Sequence, residues 1–185
     1  MNYQEKYLYK PYNKVFPLLF KKEKERLQKS LGKNIQIEHI GSTAIPSMPG
    51  KGVIDICISV PRKNWDKIRK NLEKIGYEFK PQTKEREKFR LFFMASLPDK
   101  LLRTQIYHIH LTYPGSVFLK GSLAFLNYLK RHPKDFKRYA AVKKEAAQKA
   151  QVFKTKKKMK ETYMNIKGPF IEEILSKLGF KKLPD

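Results

Sequence analysis

The sequence predicts an α+β fold, on two observations. Segments of strand length and composition fall within the first 113 residues. From Ser116 onward the apolar residues recur at helical spacing. At 185 residues the chain reads as one unit, residues 1–185, with a sheet-containing core over 1–113 and a helical part over 114–185.

Each element has a local reason. Met1 to Pro11 is polar and aromatic and reads as irregular. Val15, Leu18, Leu19 and Leu27 share one face of a helix from about Asn13 to Ser30, with Pro17 in the first turn and Gly32 as the stop. Ile35 to Ile40 reads as a strand, followed by a tight Gly41-Ser42 turn and a loop carrying Pro46, Pro49 and Gly50. Val53 to Val60 is a second strand, broken by Pro61. Trp65, Ile68, Leu72 and Ile75 fall at i, i+3, i+7 and i+10 of an amphipathic helix that Gly76 closes. Tyr77 to Lys80 reads as a short strand and Pro81 to Lys88 as a charged loop. Phe89 to Ser96, turned at Pro98-Asp99, and Arg103 to Tyr113 predict an antiparallel hairpin. Val117 to Leu129 supports one helix, ending near His132-Pro133, and Phe136 to Ala147 a second. A last helix over Tyr163 to Leu178 starts near Gly168 or kinks there, because Pro169 lies inside its pattern. Lys154 to Lys160 is a charge run, read as a solvated face.

Composition narrows the partners. The formal net charge is +24, which favours anions such as nucleotides, nucleic acid or anionic surfaces, although Lys also outnumbers Arg along most of the chain as ordinary solvated surface. The single cysteine, Cys57, excludes an internal disulfide and fits a reducing compartment. No apolar run is long enough to span a bilayer, and the N-terminus lacks a signal-like core. A cytoplasmic protein with no membrane partner is expected.

The chemistry concentrates around residues 35–60. A Gly-Ser turn leaves N–H groups and a hydroxyl for phosphate oxygens, and Asp55 on the next strand offers a carboxylate to a divalent cation. On spacing alone the same residues also describe an ordinary loop and one buried, hydrogen-bonded aspartate. His108 and His110, at i and i+2, share a face of their strand, as do Asp55 and Cys57, and His39 precedes the turn. If these strands pair, three imidazoles, a carboxylate and a thiol converge. Such donors suit Zn²⁺ or another transition metal, acid–base work, or phosphate binding. Lys51, Arg90, Arg103, Lys143 and Lys167 are candidate phosphate contacts, with Tyr139 and Tyr163 beside the same cleft.

Glu38-His39-Ile40-Gly41-Ser42-Thr43-Ala44-Ile45-Pro46, with Pro49, Lys51 and Val53-Ile54-Asp55-Ile56, closely resembles the signature of the GrpB family, a branch of the nucleotidyltransferase superfamily. Tyr107 to Leu111 is similar to its H-x-H strand. Asn127 to Pro133, with Tyr139 and Lys143, is similar to its next helical motif, and Tyr163 to Ile171 to its C-terminal one. The resemblance implies a nucleotidyltransferase-like small mixed β-sheet flanked by helices, with a C-terminal helical layer. It implies a metal-assisted nucleotidyltransferase acting on a nucleotide or other phosphorylated small molecule, with a nucleoside triphosphate as substrate. In that reading Asp55, His108 and His110 are catalytic, and Gly41, Ser42, Lys51, Arg90, Lys143 and Lys167 hold phosphate. Asp55, His108, His110 and His39 would hold a divalent metal, Mg- or Zn-like. The pattern departs from the superfamily at Cys57, where a second carboxylate is usual, and no acid lies on Phe89–Ser96 or Arg103–Tyr113. The alternatives are a nucleotide- or coenzyme-binding module without turnover and, less favoured, a basic nucleic-acid-binding protein.

Overall fold

The structure is a computed structural model that describes residues 7–180. It has five strands and six helices among these residues: α1 (Phe16–Leu31), β1 (Gln36–Ile40), β2 (Ile54–Ser59), α2 (Trp65–Lys74), β3 (Glu78–Phe79), α3 (Lys84–Glu87), β4 (Leu91–Asp99), β5 (Arg103–Thr112), α4 (Val117–Arg131), α5 (Pro133–Gln151) and α6 (Lys156–Lys177). The expected α+β arrangement is present. The irregular stretch expected over Met1 to Pro11 falls partly outside the described residues. Within it, Lys10 makes a two-bond bridge to Gly50.

The strands form one mixed sheet in the order β1-β2-β5-β4-β3. All neighbours are antiparallel except β2 and β5, which run parallel at its centre. Alternate residues leave opposite faces. One face carries Ile37, Ile54, Ile56, Ile58, Phe93, Ile109 and Leu111, and it packs against Phe16, Leu19 and Leu27 of α1 and Trp65, Ile68 and Leu72 of α2. The register sends Ile40, Asp55, Cys57, His108 and His110 to the other face. There α4 covers Ile40 and Cys57 with Phe118 and Leu119. A second apolar cluster joins the loop after β1 to the helical layer: Ile45 and Met48 sit among Leu126, Leu129, Tyr139, Phe170 and Ile174. That packing fixes the loop over the second face.

Three local expectations change. Pro98 lies within β4, opposite Thr104, and the turn moves to the residues after Asp99, whose Oδ1 accepts from the N–H groups of Leu101 and Leu102 at 2.8 and 2.9 Å. Proline is tolerated there because β3 pairs only with Phe93 and Met94, so the strand edge at Pro98 needs no donor. The charged loop contains the short α3, capped by Thr83. Finally, α6 does not begin at Gly168; it starts at Lys156 and contains Pro169 in its interior. Phe170, Ile174 and Leu175, buried on the following turn, hold the helix past the lost hydrogen bond. The lysines at 154 and 156–158 are exposed around the start of α6. No helix among the described residues is long and apolar enough to cross a membrane.

A polar network locks α1 to the sheet core. Glu23 is 4% exposed; it accepts from Arg26 through Nε and Nη2, the latter at 2.7 Å, and from the Tyr77 hydroxyl at 2.7 Å. Arg26 also donates to the carbonyl of Ile75. Glu23→Ala would leave the buried Tyr77 hydroxyl without an acceptor. It is expected to lower the unfolding free energy by about 1–3 kcal/mol, read from urea denaturation. An unchanged midpoint would show that the network contributes nothing net.

Candidate functional site

The second sheet face brings Asp55, His108 and His110 together. Asp55 is opposite His108 across the parallel β2–β5 pair, and Cys57 is opposite His110. His108 Nδ1 lies 3.2 Å from Asp55 Oδ1, and His110 Nε2 lies 3.7 Å from the same oxygen. Burial alone would raise the Asp55 pKa, but the hydrogen bond from His108 and the nearness of both imidazoles outweigh it and hold the carboxyl well below its usual range. Burial lowers the His110 pKa to about 4, Asp55 opposes the shift and Arg90 adds to it. His110 is therefore neutral at physiological pH. The far ring nitrogens, His108 Nε2 and His110 Nδ1, are buried without hydrogen-bond partners among the described residues. Phe92 packs against both rings and Phe118 against His110.

The other edge of the carboxylate faces the Gly41-Ser42 turn. Gly41 has φ +72° and ψ −172°, a region open only to glycine. A Cβ there would lie 3.0 Å from Asp55 Cβ and Cγ, and nearer still to Oδ2. The carboxylate is thus divided: Oδ1 belongs to the histidines and Oδ2 to the turn.

The lysines form a second group. Lys143 on α5 is 2% exposed and donates to the carbonyl of Pro49. Burial depresses its pKa well below the ordinary lysine value, and Lys167 and Lys51 depress it further, against Asp55. Lys51 stands over the rings of Tyr7 and Tyr163, Lys167 over Tyr163, and Lys143 over Tyr139, with nitrogen-to-centroid distances of 4.7, 5.2, 5.4 and 5.3 Å. Gly50 lies between the groups: a Cβ there would meet Ser42 Oγ at 3.1 Å and Lys143 Nζ closer still.

Arg90 lies at the opposite end of the cluster, 4.4 Å over the Phe118 ring, where its charge acts on Cys57 and His110. Arg103 does not join the site; it lies exposed at the β4–β5 turn, opposite Asp99. His39 also departs from the expected ligand set. It pairs with Ile56 and so leaves the sheet on the α1 face, stacked on Phe20. The Thr43 hydroxyl gives its one proton to the carbonyl of Val53, so His39 Nε2 must donate to Thr43 Oγ1, 3.0 Å away. Burial lowers its pKa to about 4, and Lys130 assists against Asp55. His39 is a structural ring that holds the start of the turn.

These positions do not fit a two-metal group. Cys57 is fully buried in the place of a second acid, and burial raises its pKa to about 12, so it is a neutral thiol. Among the described residues no three His, Cys, Asp or Glu side chains are grouped to hold an ion. The carboxylate nearest in register is Glu38, opposite Cys57 on the same face. Its alternation with Ile40 along β1 is the signal in the sequence that puts it on this face.

Comparisons with known proteins agree on the fold. A family model described as "GrpB protein" matches residues 9–177. The chain is 30% identical over 165 residues to the glutamate-rich protein GrpB of Alkalihalophilus pseudofirmus, covering 86% of this chain and 88% of that one. It is 33% identical over 138 residues to UPF0157 protein YqkA of Bacillus subtilis, covering 74% of this chain but only 38% of that protein. Among solved structures, conserved protein GrpB from Enterococcus faecalis superposes with a TM-score of 0.71 at 23% identity, over 93% of this chain and 99% of that one. The Cid1 poly(U) polymerase, solved with MgGTP bound, matches with a TM-score of 0.53 at 15% identity, over 76% of this chain and 44% of Cid1. The nucleotidyltransferase-like fold is therefore shared.

Proposed function

The chain belongs to the GrpB family, and from that premise we propose that it transfers a nucleotidyl group from a nucleoside triphosphate, or acts on a closely similar phosphorylated small molecule. The observation that carries this reading is the divided carboxylate of Asp55, tied at Oδ1 by His108 and facing the Gly41-Ser42 turn with Oδ2. In this reading the backbone of Gly41 and the hydroxyl of Ser42 receive phosphate oxygens. Lys51, Lys143 and Lys167 offset the charge of the tail, and Arg90 serves the far end of the cleft. Asp55 Oδ2 accepts from the attacking hydroxyl and orients it. That hydroxyl's oxygen bonds to the α-phosphorus as the bond to pyrophosphate breaks, and its proton passes by way of Asp55 Oδ2 to the departing pyrophosphate. Because their far nitrogens are buried, His108 and His110 act through Asp55, as positioning residues rather than proton carriers.

A second reading keeps the same cleft as a nucleotide- or coenzyme-binding module without turnover. The neutral Cys57 at the second acid position favours it. Melting curves with each nucleoside triphosphate, with and without Mg²⁺, Mn²⁺ or Zn²⁺, test both. A nucleotide at about 100 times its Kd is expected to raise the midpoint by roughly 5–10 °C. Pyrophosphate release then separates transfer from binding alone. If no nucleotide moves the midpoint under any condition, both readings fall.

A further inference from the structure

We infer that the lysine cluster of Lys51, Lys143 and Lys167, with Ser42 and Gly50, binds the linear polyphosphate tail of a nucleotide, and that Lys143 takes up a proton from solvent as the tail binds. This rests on the phosphate-binding part of the preceding reading and adds the protonation state in which the site waits for its ligand.

The geometry supplies the reason. An ammonium carries three donors and no acceptor. The hydrogen bond found for Lys143 Nζ goes to the carbonyl of Pro49, and its side chain is almost wholly buried. Charge on such a group is costly in proportion to its desolvation. The groups that face it come from every neighbouring element. The loop brings Ser42 and Lys51, β2 brings Asp55, its own helix brings Tyr139, and α6 brings Lys167 and, beyond it, Tyr163. Lys51 and Lys167 disfavour a third positive charge. Asp55 favours it, but Asp55 already holds His108 through Oδ1. The ligand-free surroundings therefore work against the charged amine, in keeping with its depressed pKa. A polyphosphate alters each contribution at once. It screens the two neighbouring cations, supplies anionic oxygens to all three amines, and makes the protonated form the favoured one. Gly50 leaves the space in which Nζ and Ser42 Oγ approach the same point.

The test is isothermal titration of inorganic tripolyphosphate at about pH 8, in two buffers of different ionisation enthalpy. The wild-type chain, Lys143→Met and Lys143→Arg are compared, each checked for fold by circular dichroism. The wild type is expected to take up more protons per ligand than either variant. Lys143→Met has no amine to protonate, and the guanidinium of Lys143→Arg is charged before the ligand arrives. Lys143→Met should also bind at least tenfold more weakly, from the loss of one charge-assisted contact. Binding with equal proton counts in all three proteins overturns the role of Lys143 and leaves the phosphate reading standing. Absence of binding heat in the wild type overturns both. Should both variants misfold, the wild-type count decides: net uptake, corrected for the ligand's own titration, supports the inference, and none overturns it.

Discussion

Asp55→Asn is expected to reduce nucleotidyl transfer by about a hundredfold or more while leaving the fold intact. The amide is nearly isosteric with the carboxylate, so the packing between β2 and β5 survives. What changes is charge. The carboxylate is held ionised by the imidazoles beside Oδ1, and its other oxygen faces the Gly41-Ser42 turn, where the proposed transfer needs an anionic acceptor. An amide can present its nitrogen there as readily as its oxygen, which turns an acceptor into a donor. Pyrophosphate release under saturating nucleotide measures the loss, and release that survives the substitution removes Asp55 from the mechanism. The same variant has a signature in stability. Because the folded carboxyl has a depressed pKa, its contribution is fully present above the unfolded value of about 4. It is lost as the pH falls below that value. Wild type should therefore lose stability on acidification more steeply than Asp55→Asn, and parallel acid limbs would contradict the assignment.

Gly41→Ala should damage both fold and site. The glycine occupies φ +72°, ψ −172°. An L-residue forced into that region costs about 1–3 kcal/mol before any contact is considered. The new methyl would also press on the side chain of Asp55, at 3.0 Å from Cβ and Cγ. The carboxylate would have to turn away from His108 or the turn would have to open. Gly32→Ala provides the comparison. Gly32 also has a positive φ, +113°, but a Cβ there meets no atom of the described residues within 4 Å. The two variants should differ in the pH dependence of stability and in nucleotide binding, with Gly41→Ala losing both and Gly32→Ala only backbone stability. Equal effects on nucleotide binding would show that the contact with Asp55 is unimportant.

Much of this architecture was legible in the sequence, and the parts that were not share a cause. Helix and strand positions follow from local periodicity, so α1, α2 and the β4–β5 hairpin lay close to where the residues placed them. The i, i+2 spacing of His108 and His110 guaranteed a common face, and the same rule covered Asp55 with Cys57. Which face each strand shares with its neighbour is a matter of register, and register depends on contacts between distant residues. That is why His39, adjacent in sequence to the turn, belongs to the opposite face and to Phe20. It is also why Glu38, one residue earlier, lies beside Cys57. Depth was similarly hidden. Lys143 follows a helical pattern like many exposed lysines, and only the packing of α5 and α6 over the loop buries it. At Pro169, likewise, tertiary packing carries α6 across a residue that local propensity would make a boundary.

The parallel pairing of β2 with β5 also sets an order of events during folding. Asp55 and His108 are 53 residues apart in the chain. The antiparallel partners of each strand, β1 and β4, are instead its near neighbours in sequence. Two local meanders can therefore form quickly, one from β1 and β2, the other from β4 and β5. The seam between them must wait until the whole of the intervening chain has closed, against a larger loop entropy. During synthesis the carboxylate emerges before its imidazoles, so its bond to His108 cannot form until β5 is present. The Asp55–His108 pair is thus a marker of completed folding: a chain that has collapsed without joining its two meanders would retain secondary structure and lack the bond between them.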